Sequence, residues 1–164
     1  MQRQIILSAI IAFASICGIS RAIAQTAPAP AAPIIFFANL SPDEETYPTY
    51  GDAKGHADFS LDRDTLKLSW KVTYMGLSSP PTGAHIFGPQ RPGANSTPVF
   101  DLAPKGFKSP LEGSVILKEG DLQNLLAGRY YVNIMTTKYE HGELRGQLDR
   151  LDNTEETLEE NRKK

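Results

Sequence analysis

The sequence predicts an all-β domain, an antiparallel β-sandwich of about eight short strands with one short helix. Three observations predict it. Residues 65–75 (TLKLSWKVTYM) alternate apolar and polar side chains through Leu66, Leu68, Trp70, Val72 and Tyr74, the period of a strand with one face buried and the other wet. Segments of similar length recur along the chain, set apart by Gly- and Pro-rich stretches such as SSPPTG and GPQRPGANSTP. Only residues 119–127 carry helical spacing.

Residues 1–24 read as a secretory signal peptide. Arg3 supplies the positive start, Ile5 to Ile19 form an apolar run too short for a comfortable membrane span, and Ala22-Ile23-Ala24 gives the small-x-small pattern that directs cleavage after Ala24. Export implies a secreted or periplasmic protein with no stable membrane anchor after cleavage. The single Cys, Cys17, lies inside this segment and follows Ile16 rather than a small residue, so it is an ordinary apolar signal-peptide residue and not a lipidation site. Residues 25–33 (QTAPAPAAP) form an Ala/Pro-rich linker of polyproline character.

Within the domain, residues 34–151, the first strand is expected at 34–40 (IIFFANL). Residues 56–61 alternate Ala57, Phe59 and Leu61 with His56, Asp58 and Ser60, and the DRDT turn at 62–65 joins them to 65–75 as a hairpin. Further strands are expected at 83–87, 97–102, 112–118, 129–136 and 143–150. The helix at 119–127 places Leu122, Leu125 and Leu126 on one stripe and stops at Gly128. Residues 152–164 form a charged tail that buries too little to fold alone.

Composition narrows the function. The whole chain has 17 basic and 19 acidic residues, and removing Arg3 and Arg21 with the signal peptide leaves 15 basic against 19 acidic. That balance excludes the basic stripe of a nucleic-acid binder. A mature chain with no Cys has no disulfide, so the domain relies on its core in an oxidising compartment. No nucleophile elbow, H-E-x-x-H helix or phosphate-cradling loop occurs.

Two segments, TGAHIFGPQRPGANSTPVFDL and LAGRYYVNIMTTKYEHGELRGQL, resemble the CHRD domain family, found in the animal protein chordin and in secreted or periplasmic microbial proteins. FFANLSPDEE, the turn around Gly55 and LDRDTLKLSWKVTYMGL agree, so the resemblance covers about residues 35–149. It implies an immunoglobulin-like β-sandwich and no established enzymatic reaction. Family members commonly read A-H-I-H-G and N-V-H-T where this chain has Ala84-His85-Ile86-Phe87-Gly88 and Asn133-Ile134-Met135-Thr136. His85 is retained, whereas Phe87 and Met135 stand where further histidines are expected, which weakens a site built from three imidazoles.

Strand parity makes the candidate site a matter of faces. Tyr130, Val132 and Ile134 should face the core and Tyr131, Asn133 and Met135 the other way; Leu144, Gly146 and Leu148 should face inward and Glu143, Arg145, Gln147 and Asp149 outward. The short TKYEHG connection makes the last two segments a hairpin. If strand 83–87 adjoins them, His85, Phe87, Asn133, Met135, Glu143 and Arg145 form one patch for an unknown protein or small ligand, with Arg145 able to recognise an anion. The plainer reading of Glu143 and Arg145 is a solvated ion pair contributing about 0–1 kcal/mol. His85, Met135 and His141 supply imidazole and thioether, a set that suits copper better than zinc. Tyr47, Pro48 and Tyr50 could form an exposed edge for sugar or protein. Asp43-Glu44-Glu45 reads as ordinary turn charge, and Asn95-Ser96-Thr97 has the form of a glycosylation sequon. The function expected is that of a non-catalytic binding or structural module, ahead of a copper-type metal binder centred on His85 and, third, an enzyme of unknown type.

Overall fold

The computed structural model describes residues 31–151. The segment expected to be a signal peptide, the first part of the expected linker and the 152–164 tail lie outside the described residues. Two antiparallel sheets make the expected sandwich. One contains β1 (Ile34–Leu40), β2 (Lys54–Leu61), β3 (Lys67–Met75), β6 (Leu111–Ile116) and β9 (Asp149–Arg150), in the order β6-β3-β2-β1-β9. The other is β5-β4-β7-β8, from β4 (Pro81–Phe87), β5 (Pro98–Asp101), β7 (Tyr131–Thr136) and β8 (Leu144–Gln147). Among the described residues no helix is long and apolar enough to cross a membrane.

The alternating residues meet between the sheets. Phe36, Ala38, Leu40, Ala57, Phe59, Leu61, Leu68, Trp70 and Val72 pack from the first sheet against Ala84, Ile86, Val132, Ile134 and Leu144 of the second. Trp70 has its cross-strand partner at Gly113, where a Cβ would collide with the indole, and its Nε1–H donates to the Leu102 carbonyl at 3.1 Å. The indole thus buries its area with its one polar group satisfied.

Three local expectations are corrected. Leu66 belongs to the turn rather than the strand: it sits at φ 55, and β3 begins at Lys67. The turn itself is built by Asp62, whose carboxylate accepts the backbone N–H groups of Asp64 and Thr65. Leu126 leaves the helical stripe. In α1 (Glu119–Leu126) Leu125 is buried and Leu122 packs on the core, but Leu126, one residue further round the helix, faces solvent. Gly128, at φ 64, follows as the stop.

The third correction concerns 143–150, which is two strands rather than one. After Gln147 the chain passes from one sheet to the other, with the Leu148 N–H donating to Tyr130 O at 3.0 Å, and β9 then pairs with β1. At the far end of β1, Ser41 exchanges two backbone hydrogen bonds with Arg145 of β8, at 3.0 and 3.1 Å. The two sheets are therefore joined along one side, where a Cβ at Gly146 would collide with the Asn39 carbonyl.

Candidate functional site

The outward face of the second sheet collects the chemistry. β4 pairs with β7 and β7 with β8 in a register that sets Asp101, His85, Asn133 and Arg145 in one row across four strands. Gly83 pairs with Met135, and Phe87 with Tyr131. The patch residues His85, Phe87, Asn133, Met135 and Arg145 consequently share this face, and Glu143 lies beside its edge.

This face is roofed, unlike the polar outer face of the first sheet. Tyr131, Asn133 and Arg145 are each 3% exposed and Glu143 1%. Parity gives the direction of a side chain but not what covers it; here residues 41–50 and 88–97 pass over the sheet. Arg145 ties the second of these down, donating from Nη1 to Asn95 Oδ1 at 2.9 Å and from Nη2 to Ala94 O at 2.8 Å. Its guanidinium lies 3.6 Å over the Tyr131 ring, which stacks on Phe87 at 5.3 Å. The Tyr131 hydroxyl accepts the Ser96 N–H.

Glu143 and Arg145 bind different groups rather than each other. The Glu143 carboxylate accepts Ser78 N–H at 2.6 Å, the Ser78 hydroxyl at 3.0 Å and the Thr136 hydroxyl at 2.7 Å. Gln147 Nε2 donates to Gly128 O and Tyr130 O, at 2.8 and 2.7 Å. Three polar side chains of one short segment therefore anchor three different loops.

At the centre stands a residue that sequence reasoning passed over as turn charge. Glu45 follows a 3-10 turn (Pro42–Glu44) and reaches the sheet, where its Oε1 accepts Asn133 Nδ2 at 2.9 Å. Burial pushes its carboxyl up to about 7, against the opposing pull of Arg145 and the Asn133 hydrogen bond. Asn133 Nδ2 also donates to His141 O at 3.4 Å, while its Oδ1 is buried without a partner. His85 Nδ1 is likewise buried and unpartnered.

Of the candidate metal ligands, His85 and Met135 come together: a Cβ on Gly83 would meet the Met135 methyl and, at 3.1 Å, His85 Cε1. The His141 ring goes instead to Tyr47, stacking at 4.6 Å with 25° between planes. Among the described residues no group of three or more His, Cys, Asp or Glu is placed to hold a metal ion.

The Tyr47–His141 stack stands at the rim of a cleft of about 280 Å³, lined by Tyr47, Pro48, Thr49 and residues 138–142. Tyr139 fixes its far wall: its hydroxyl donates to Tyr50 O at 2.9 Å and accepts Tyr50 N–H at 3.2 Å. Tyr47 and Tyr50 remain 49% and 76% exposed, an aromatic edge held in place by backbone ties.

The sequence model of the CHRD domain matches residues 36–148, more than half of the chain, and spans both sheets. The chain belongs to the CHRD domain family. No curated protein and no solved structure matches it. In this CHRD domain the GELRGQL segment is the piece that closes the fold: Glu143, Arg145 and Gln147 hold loops, Leu144 and Leu148 fill the core, and Gly146 admits β1. Asn95, the first residue of the sequon, is engaged on its Oδ1 by both Thr46 Oγ1 and Arg145.

Proposed function

We propose that this CHRD domain is an exported, non-catalytic binding module, secreted or periplasmic, that takes a small polar ligand or a segment of a partner protein in the cleft between residues 47–49 and 138–142. The observation that carries this reading is the Tyr47–His141 stack at 4.6 Å: two aromatic rings kept at the surface by a loop whose backbone is tied down. Rings ordered before binding lose little entropy when a ligand arrives, and exposed Tyr is the residue type that recognition surfaces favour. Lys138, Glu140 and Thr49 beside the rings give donors and acceptors for orientation. Export is supported by the apolar leader and its Ala22-Ile23-Ala24 end. The anchoring roles of Glu143 and Arg145 account for these two buried charged side chains without catalysis.

A panel of soluble oligosaccharides and short peptides, screened by amide chemical-shift changes, tests the reading. A binder should shift residues 46–50 and 138–142, and Tyr47→Ala should abolish the effect while leaving the fold intact. Absence of any binder across the panel, or shifts confined to another face, would overturn it.

One observation favours a second reading, metal capture of copper type. His85 Nδ1 is buried without a partner beside the Met135 side chain, and imidazole with thioether suits Cu(I). Titration with Cu(I), Cu(II) and Zn(II) should then show tight copper binding that His85→Ala removes; a wild-type chain that binds none of the three ends this reading.

A further inference from the structure

Residues 41–50 act as a strap. They leave β1, cross the roofed face of the second sheet and deliver Tyr47 to the cleft. Most of their ties are exposed or made by backbone: Thr46 Oγ1 to Asn95, Thr49 Oγ1 to Tyr47 O and Gly142 O, and Tyr50 with the Tyr139 hydroxyl. The side-chain tie beneath the strap is Glu45 to Asn133. Gly142 closes on that pair so tightly that a Cβ there would collide with both Glu45 Oε1 and the Asn133 amide.

The amide has one orientation, because its Nδ2 has two acceptors, Glu45 Oε1 and His141 O. Its Oδ1 is thereby left buried and unpartnered, on an amide whose Nδ2 is bonded to the Glu45 carboxyl. A carboxylate has no proton to offer it; a carboxylic acid does. An acid and a primary amide side by side can exchange two hydrogen bonds, each group donating once and accepting once.

We propose that Glu45 and Asn133 form a proton-sharing latch, in which protonated Glu45 donates to Asn133 Oδ1 while Asn133 Nδ2 donates to Glu45 Oε1, and that loss of this proton to solvent frees the strap and loosens the Tyr47 wall of the cleft. The inference deepens the binding reading and rests on it, since it makes the cleft proton-regulated. Burial raises the Glu45 carboxyl to about 7, which places the change near neutrality. The charged group facing Glu45 is Arg145 of β8, which favours the ionised form and moderates the latch. His85 of β4 adjoins Asn133 in register, and His141 of the 137–142 turn gives Asn133 its carbonyl while its ring stays on Tyr47. Asn95, from 88–97, is neutral.

The test uses the full chain without ligand, so its failure leaves the binding reading standing. Carbon-detected NMR follows the Glu45 carboxyl from about pH 4 to pH 9, a range that brackets both its ordinary and its raised value, and hydrogen exchange, corrected for its intrinsic pH dependence, follows the amides of 46–50. The Glu45 carbon should titrate near neutrality, and protection of the strap should fall roughly tenfold between about pH 6 and 8. In Glu45→Gln, whose amide keeps both hydrogen bonds at every pH, protection should be flat. An ordinary glutamate titration, or equal wild-type protection at both pH values, would overturn the latch. If Glu45→Gln fails to fold, the wild-type titration and exchange decide alone.

Discussion

Arg145 lies with its guanidinium carbon 3.6 Å above the centre of the Tyr131 ring, on the side of the second sheet turned away from the core. Both residues are 3% exposed, so the sandwich has a second, smaller buried layer between this sheet and its loops. The planar guanidinium serves two ends at once. Its flat face covers the ring, and its edge presents two N–H groups to Asn95 and Ala94.

Arg145→Lys is therefore a severe change although it keeps the charge. An ammonium reproduces neither the stack nor the two-pronged edge, and it leaves the Ala94 carbonyl and the Tyr131 face unmatched. The expected loss is about 2–3 kcal/mol, measured by denaturant unfolding. Residues 88–97 should also lose exchange protection. An unchanged unfolding midpoint would show that the layer over the sheet contributes nothing to stability.

Glu143→Ala removes a buried acceptor that three donors share. Ser78 N–H and the hydroxyls of Ser78 and Thr136 would be left facing a cavity. A buried donor without its partner costs about 1–3 kcal/mol, so a total of about 3 kcal/mol is expected after relaxation. Glu140→Ala, three residues away on the exposed turn, should change stability by less than about 0.5 kcal/mol. Equal effects at the two sites would contradict the hub role of Glu143.

Gly146→Ala tests the seam between the sheets. The obstacle to a methyl group there is the backbone carbonyl of Asn39, which has no rotamer to escape through. The Ser41–Arg145 bridge next to it would have to open. A loss of about 2–4 kcal/mol is expected, with accelerated exchange at the amides of Ser41 and Arg145. A fully stable Gly146→Ala protein would mean that β1 can stand further from β8 than the structure places it.

How much of this was legible in the sequence follows from what a period can encode. The alternation of Leu68, Trp70 and Val72 identified a face and a core because the first sheet is wet on its other side. For β7 and β8 the same parity correctly paired Asn133 with Arg145 on one face, yet it gave no sign that the face was covered. Covering depends on where residues 41–50 and 88–97 lie in three dimensions, and the contacts they make with the sheet span 88 and 50 residues of sequence respectively, from Glu45 to Asn133 and from Asn95 to Arg145. Glu45 was hidden for the same reason. In the run Asp43-Glu44-Glu45 it looks like its neighbours, and only the strap's path separates it from them. The split at Leu148 was equally invisible, since a strand that changes sheets keeps its alternation.

The pH dependence of stability should carry the mark of Glu45. A carboxyl held at about 7 when folded and at 4.5 when unfolded binds its proton more tightly in the native state. Its stabilising effect is complete below pH 4.5 and disappears as pH rises through about 7, so stability should fall across the window from 5 to 8. The full shift would correspond to about 3 kcal/mol. Because the group is partly exposed, screening reduces the expected loss to about 1–2 kcal/mol. Asp62 acts in the opposite sense and elsewhere: the Thr65 backbone N–H lowers its carboxyl, so its contribution vanishes only in acid, below the usual aspartate range. Comparing wild type with Glu45→Gln by urea unfolding at pH 5, 6, 7 and 8 isolates the term, since every other titrating group is common to both proteins. The difference between them should widen steadily toward pH 8 in favour of Glu45→Gln. A constant difference would mean that Glu45 is already ionised at pH 5 and that burial is not what governs its proton.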